Sequence, residues 1–224
     1  MPGPARTDDK APGINAHGCK ACPHDATVQA RQRLFTDMQA ATRLYALIDS
    51  AADDRIFAQL VQPDIRKDSL FTGENAWAME HVAPYLMRVD NQEALLDFLL
   101  EHGWGNAWGV FFTSDADIKT LLAHLRAFLY VPGSRDRKVY FRYYDPRVLR
   151  DYLPLLTGQE AADFFGPIER FILENDGGRP LEFARPQNAA ASGAPWPVLG
   201  PEKQKALSAA WKKRCLNQQA DAYR

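Results

Sequence analysis

Ala107-Trp108-Gly109-Val110-Phe111-Phe112 is almost continuously apolar, and no other segment restricts the fold as much. A strand with one face in solvent alternates apolar and polar residues, so a strand without alternation must be covered on both faces. It therefore belongs at the centre of a sheet, with other elements packed above and below. Leu44-Tyr45-Ala46-Leu47-Ile48-Asp49 is a second compact apolar run suited to a buried strand. The covering layers are visible as helical spacing. Ile56, Phe57, Leu60 and Val61 share one face, and a helix over residues 92–102 places Leu95, Leu96, Leu99 and Leu100 on one side. Ser114-Asp115-Ala116-Asp117 has the Ser-then-acid spacing of a capping box, ahead of a helix carrying Ile118, Leu121, Leu122, Leu125 and Phe128.

Shorter signals complete the pattern. Ser69–Gly73 reads as a short strand or turn, and residues 83–89 as a strand with Pro84 near its start, where a missing N–H is tolerated. Residues 138–144 alternate like a strand, and a short helix near 159–165 ends at Gly166-Pro167. The stretches 168–173 and 181–183, joined by Asn175-Asp176-Gly177-Gly178, read as a hairpin. Strands alternating with helices predict an α/β fold, a mixed sheet with flanking helices, plus a C-terminal helical appendage. Residues 1–26, rich in Pro, Gly, Ala and charge, read as a mobile tail, with a short leading helix over 27–41. The α/β domain spans 27–184, the Pro/Ala/Gly stretch 185–200 is a linker by composition, and 201–224 holds a last helix with Leu207, Trp211 and Cys215 at i, i+4 and i+8.

Net charge is −1, so no global field draws the chain to nucleic acid or to a membrane surface. Two local stretches, 135–150 and 198–224, are each net +4 and read as solvated faces or as docking surfaces for an acidic partner. Three cysteines do not make a disulfide framework in a chain of 224 residues, no signal-peptide run opens it, and no apolar stretch approaches the ~20 residues that span a bilayer. These features predict a soluble cytoplasmic protein.

Motifs for chemistry are sparse. Gly103-Trp104-Gly105-Asn106-Ala107-Trp108-Gly109 has the wrong glycine spacing for a dinucleotide loop and lies after a helix and before a strand, the reverse of what that loop needs. Its glycines read as a helix stop and a tight lead into the central strand. His17-Gly18-Cys19-Lys20-Ala21-Cys22-Pro23-His24 puts two thiols at a zinc-compatible spacing, with His17 or His24 available to complete a tetrahedron, but no second ligand pair follows; free cysteines in a tail are the simpler reading. No nucleophile elbow or zinc-protease motif is present. His102 and His124 sit on amphipathic helices as surface or boundary residues, and His81 has no identifiable partner. Tyr140, Tyr143 and Tyr144 interleave with Arg142 but lack the glycine pattern of an RNA-binding strand.

One corner remains. In Phe141-Arg142-Tyr143-Tyr144-Asp145-Pro146-Arg147-Val148-Leu149 the alternation stops at Asp145-Pro146. Asp suits a helix N-cap and Pro the first helical position, so the reading is strand, tight corner, helix. Arg142, Tyr144, Asp145 and Arg147 are candidate protein-binding residues here, with Asp145 as a cap braced by arginines. Trp196 in the linker and Trp211 on the basic last helix are further candidate anchors. Neither catalytic residues nor a cofactor is assigned. An unrecognised hydrolytic or transfer enzyme and a Cys19/Cys22 metal-binding module stand as alternatives.

Taken in order, 44–49, Leu70-Phe71-Thr72-Gly73, Ala83-Pro84-Tyr85-Leu86, Gly103-Trp104-Gly105 with Trp108-Gly109, His124-Leu125-Arg126, the 141–149 corner and Phe164-Phe165-Gly166-Pro167 resemble the adaptor/chaperone domain of bacterial type VI secretion. The resemblance covers about residues 43–174. It implies a non-enzymatic role: binding a toxic effector in the cytoplasm and helping load it onto the VgrG spike or an associated PAAR protein. Family members pair such an α/β lobe with a variable helical C-terminal lobe thought to favour particular effectors. Here only a linker and one helix follow residue 185.

Overall fold

In the computed structural model, which describes residues 23–38, 43–74, 76–132 and 138–187, the two apolar runs lie side by side at the middle of a six-stranded sheet. They form β1 (Arg43–Asp49) and β4 (Gly109–Ser114), paired antiparallel with Arg43 opposite Ser114 and Ile48 opposite Gly109. With β2 (Asp68–Ser69), β3 (Pro84–Arg88), β7 (Arg170–Glu174) and β8 (Pro180–Ala184), the order is β2-β3-β1-β4-β7-β8. At Gly109 the neighbouring strand leaves no room for a side chain. A Cβ there would stand 2.2 Å from the Leu47 carbonyl oxygen, so no larger residue fits.

Strand side chains sort by parity onto two cores. Tyr45, Leu47, Leu86, Val110, Phe112, Phe171 and Leu173 point to one face, beneath α4 (Ile118–Ala127), α5 (Pro146–Tyr152), α6 (Gly158–Phe165) and a separate ribbon of β5 (Tyr130–Pro132) and β6 (Lys138–Tyr140). Leu44, Ala46, Ile48, Tyr85, Met87, Phe111 and Ile172 point to the other. There they meet α1 (Pro23–Met38), α2 (Asp54–Leu60) and α3 (Glu93–Phe98). The predicted α/β class with flanking helices is therefore present as three layers.

Details differ from expectation for identifiable reasons. Every ladder in the sheet is antiparallel, not mixed. The helical connections do join strands of like direction, β1 to β2 and β3 to β4, but an oppositely directed strand lies between the members of each pair. The cap of α4 is Asp117, whose carboxylate accepts from the Lys119 and Thr120 N–H groups. The Ser114 hydroxyl instead donates to the Pro167 carbonyl at 2.7 Å. The helix expected over 92–102 is α3 continued by a π turn, Leu99–Gly103, closed by the Trp104 N–H on the Leu99 carbonyl at 3.1 Å. The strand expected over 138–144 stops at Tyr140, because the chain turns at Arg142, whose carbonyl accepts the Asp145 N–H at 3.1 Å. The leading helix begins at Pro23, inside the segment read as tail.

Candidate functional site

The corner is built as its sequence suggests, with one change of partner. Asp145 caps α5, its carboxylate accepting from the Arg147 N–H at 2.9 Å. The Arg147 guanidinium returns to the same carboxylate, Nε to Oδ1 at 2.9 Å and Nη2 to Oδ2 at 2.7 Å. Such a two-point pair fixes both groups. Arg142 does not join it: it donates to Asp49 at the end of β1, and its guanidinium sits 5.8 Å from the Tyr144 ring centre. Tyr144 in turn shares a 2.8 Å hydrogen bond with the Tyr140 hydroxyl. Asp49 and Asp145 are almost fully buried, whereas Arg142 is 44% and Arg147 32% exposed. Burial pushes the Asp49 carboxyl above its ordinary range, partly opposed by Arg142, and burial likewise pushes the Tyr144 hydroxyl far up. The corner thus presents two arginine edges held from behind by buried acids and tyrosines.

Beside it lies the Gly103–Gly109 loop. Gly105 (φ 88°) and Ala107 (φ 56°) turn their N–H groups to one point. That point is filled by the buried Glu174 carboxylate from the end of β7, which accepts both N–H groups, Ala107 at 2.8 Å. Trp104 Nε1 donates to the Gly178 carbonyl at 2.6 Å, and Arg150 reaches the Glu174 carbonyl at 2.8 Å and the Asp176 carboxylate. The loop's donors, of the kind that cradle anions elsewhere, are taken by the protein's own acid. Burial raises the Glu174 carboxyl despite those two N–H bonds.

A third feature leaves no mark in the sequence. Trp77 (74% exposed), Tyr130 (55%), Met79 (47%) and Val139 (46%) are large apolar side chains in solvent. Tyr130 and Phe71 both contact the Tyr140 ring, at 5.3 and 6.2 Å between centres, which joins this surface to Tyr144 and Arg142. The 3₁₀ turn Trp77–Val82 separates two grooves. One, of about 240 Å³, is lined by Phe71, Thr72, Met79, Arg126, Leu129 and Tyr130 among others. The other, of about 540 Å³, includes Trp77 and Tyr85 with Arg66, Lys67, Asp68 and Glu80. Trp77 and Met79 share the 3₁₀ turn while Tyr130 and Val139 come from β5 and β6, far along the chain and without periodic spacing, so no sequence pattern announces them together.

The structure brings together Arg142, Tyr144, Asp145 and Arg147, but only the two arginines reach the surface; Tyr144 and Asp145 lie behind them. Trp196, Trp211, His17, Cys19 and Cys22 lie outside the described residues, as does the side chain of His24. His81 is exposed on the 3₁₀ turn. His124 is a boundary residue, with Nε2 2.8 Å from the Phe164 carbonyl and its pKa lowered by burial. Among the described residues no three His, Cys, Asp or Glu side chains group to hold a metal ion, and no helix is long and apolar enough to cross a membrane.

No curated protein and no solved structure matches the chain. A family described as a domain of unknown function, DUF4123, matches residues 44–163. The matched region runs from β1 into α6, so it holds the corner, the glycine loop and both grooves, and stops short of β7 and β8. Covering more than half of the chain, that match makes this protein a member of the DUF4123 family, a domain associated with type VI secretion effectors.

Proposed function

We propose that this protein is an adaptor that binds a type VI secretion effector in the cytoplasm and helps load it onto the VgrG spike or its PAAR tip. Family membership carries the reading. It is supported by the surface: exposed Trp77 and Tyr130 and the half-exposed Arg142 are the side-chain types that dominate binding at protein interfaces, Met79 is of a type enriched there, and all stand on the three-layer scaffold. On this reading the protein performs no catalysis and its partners are proteins.

The test is recovery of the tagged full chain from its own host under mild conditions, together with deletion of its gene. The expected result is co-recovery of a toxin and of VgrG or a PAAR protein, with loss of the toxin from the secreted fraction after deletion. Recovery of none of them, with unchanged secretion, would overturn the proposal.

A further inference from the structure

Arg126 differs from the arginines paired with acids and, unlike Arg43 and Arg185, whose side chains also donate to backbone carbonyls, it keeps a buried donor without a partner. Arg55, Arg88, Arg142, Arg147 and Arg150 each meet a carboxylate. Arg126, in the last turn of α4, meets none among the described residues: Nη2 donates to the Ser69 carbonyl at 2.8 Å, while Nε is buried with no hydrogen-bond partner. It lies at the wall of the smaller groove, whose other contributors, apart from Thr72, are apolar. The buried Nε is out of reach of a ligand, but the guanidinium at the groove wall has no carboxylate beside it among the described residues, and an incoming carboxylate supplies that missing counter-charge.

We infer that this groove seats an acidic segment of the effector, an apolar side chain entering between Phe71, Met79 and Tyr130 while a neighbouring Asp or Glu pairs with Arg126. The inference rests on the adaptor reading. Charge selects the occupant. The chain's own 198–224 stretch is net +4 and would bring like charge to Arg126. A second copy docked two-fold through the groove would bring Arg126 against Arg126. Size agrees: about 240 Å³ lies below the roughly 300–1,000 Å³ of small-molecule sites and suits one or two side chains of a docked segment. Trp77, across the 3₁₀ turn, gives the same segment a second exposed anchor.

The experiment uses the full chain and the toxin recovered with it. A photo-crosslinking phenylalanine at Thr72, an exposed loop position, reports what occupies the groove. Arg126→Glu and Thr72→Trp are compared with the parent in titrations of that toxin, with melting temperature confirming folding. The expected result is a crosslink to an acidic stretch of the toxin and weakening of about 30-fold or more for Arg126→Glu, the loss typical of a hot-spot residue. Thr72→Trp, which blocks the groove without touching the core, is expected to weaken binding too. Arginine placed at the crosslinked acid of the toxin restores binding to Arg126→Glu. A crosslink to residues 188–224, to a second copy or to the spike overturns the inference, as does toxin affinity within threefold of the parent in both folded variants. If the parent recovers no toxin at all, the adaptor reading itself has failed.

Discussion

The corner around Asp145 and the groove around Arg126 are joined through Tyr130 and Tyr140, yet they answer positive charge in opposite ways. At the corner each arginine is met from within, Arg142 by Asp49 and Arg147 by Asp145. At the groove Arg126 has one carbonyl and a buried Nε with no partner. The difference separates two jobs that a sequence motif tends to merge. The stretch with a recognisable signature has its arginines paired from within, whereas the exposed apolar surface beside Arg126 is assembled from residues with no signature.

The contrast breaks most readily at Asp145. Asp145→Ala removes the cap of α5 and leaves Arg147 without its carboxylate. It is expected to cost about 2–3 kcal/mol, a figure already discounted for the partial exposure of Arg147, or roughly 5–10 °C in melting temperature. A shift below 2 °C in a calorimetric scan would show that the corner is not a closed structural unit.

Asp49→Asn sharpens the same side with a smaller effect and a definite sign. Burial raises the Asp49 carboxyl, so the folded state holds that proton more tightly than the unfolded chain does. Its ionised form therefore weighs against folding above the folded pKa, and that burden lifts as pH falls through it. Asparagine keeps the acceptor for the Ala51 N–H and removes the charge, while Arg142, nearly half exposed, rehydrates. Urea unfolding is expected to show the variant about 1 kcal/mol more stable than the parent at pH 7, the advantage shrinking toward pH 4. A clear loss of stability at pH 7 would mean that the Arg142 pair outweighs the burial of Asp49.

Met79→Ala tests the open side and should do least to the fold. Met79 is 47% exposed, so chemical denaturation is expected to change by less than about 0.5 kcal/mol. Toxin binding is expected to weaken all the same. A variant that loses stability but binds normally would reverse the assignment of the two regions.

Much of the frame is readable in sequence because it rests on runs that have one physical solution. The 44–49 stretch and the greater part of 107–112 have one solution, central strands, although Ala107 and Trp108 stay in the loop before β4, and Asn175-Asp176-Gly177-Gly178 turns β7 into β8 as expected. Readings failed where two local solutions compete. Ser114 and Asp117 both suit a cap, and Asp117 takes the role because the Ser114 hydroxyl is engaged by Pro167. Strand direction is not local at all; it follows from which strand slips between two others. At the site, Asp145 as cap and partner of Arg147 was readable from spacing alone, while Asp49 as partner of Arg142, from the far end of the domain, was not. Glu174 was equally hidden, since its role depends on the backbone of a loop distant in sequence.

The long excursion between the adjacent strands β4 and β7 has a consequence for biosynthesis. Residues 115–169 supply the helices and the ribbon that cover Tyr45, Leu47, Val110 and Phe112. A chain emerging from the ribosome holds β1, β3 and β4 before any of that cover exists, with the opposite face already furnished by α1, α2 and α3. During that interval one side of the nascent sheet is an open aromatic surface, the kind of surface that draws holdases or neighbouring chains. Translation pauses or truncations falling between Ser114 and Arg170 therefore leave that surface uncovered.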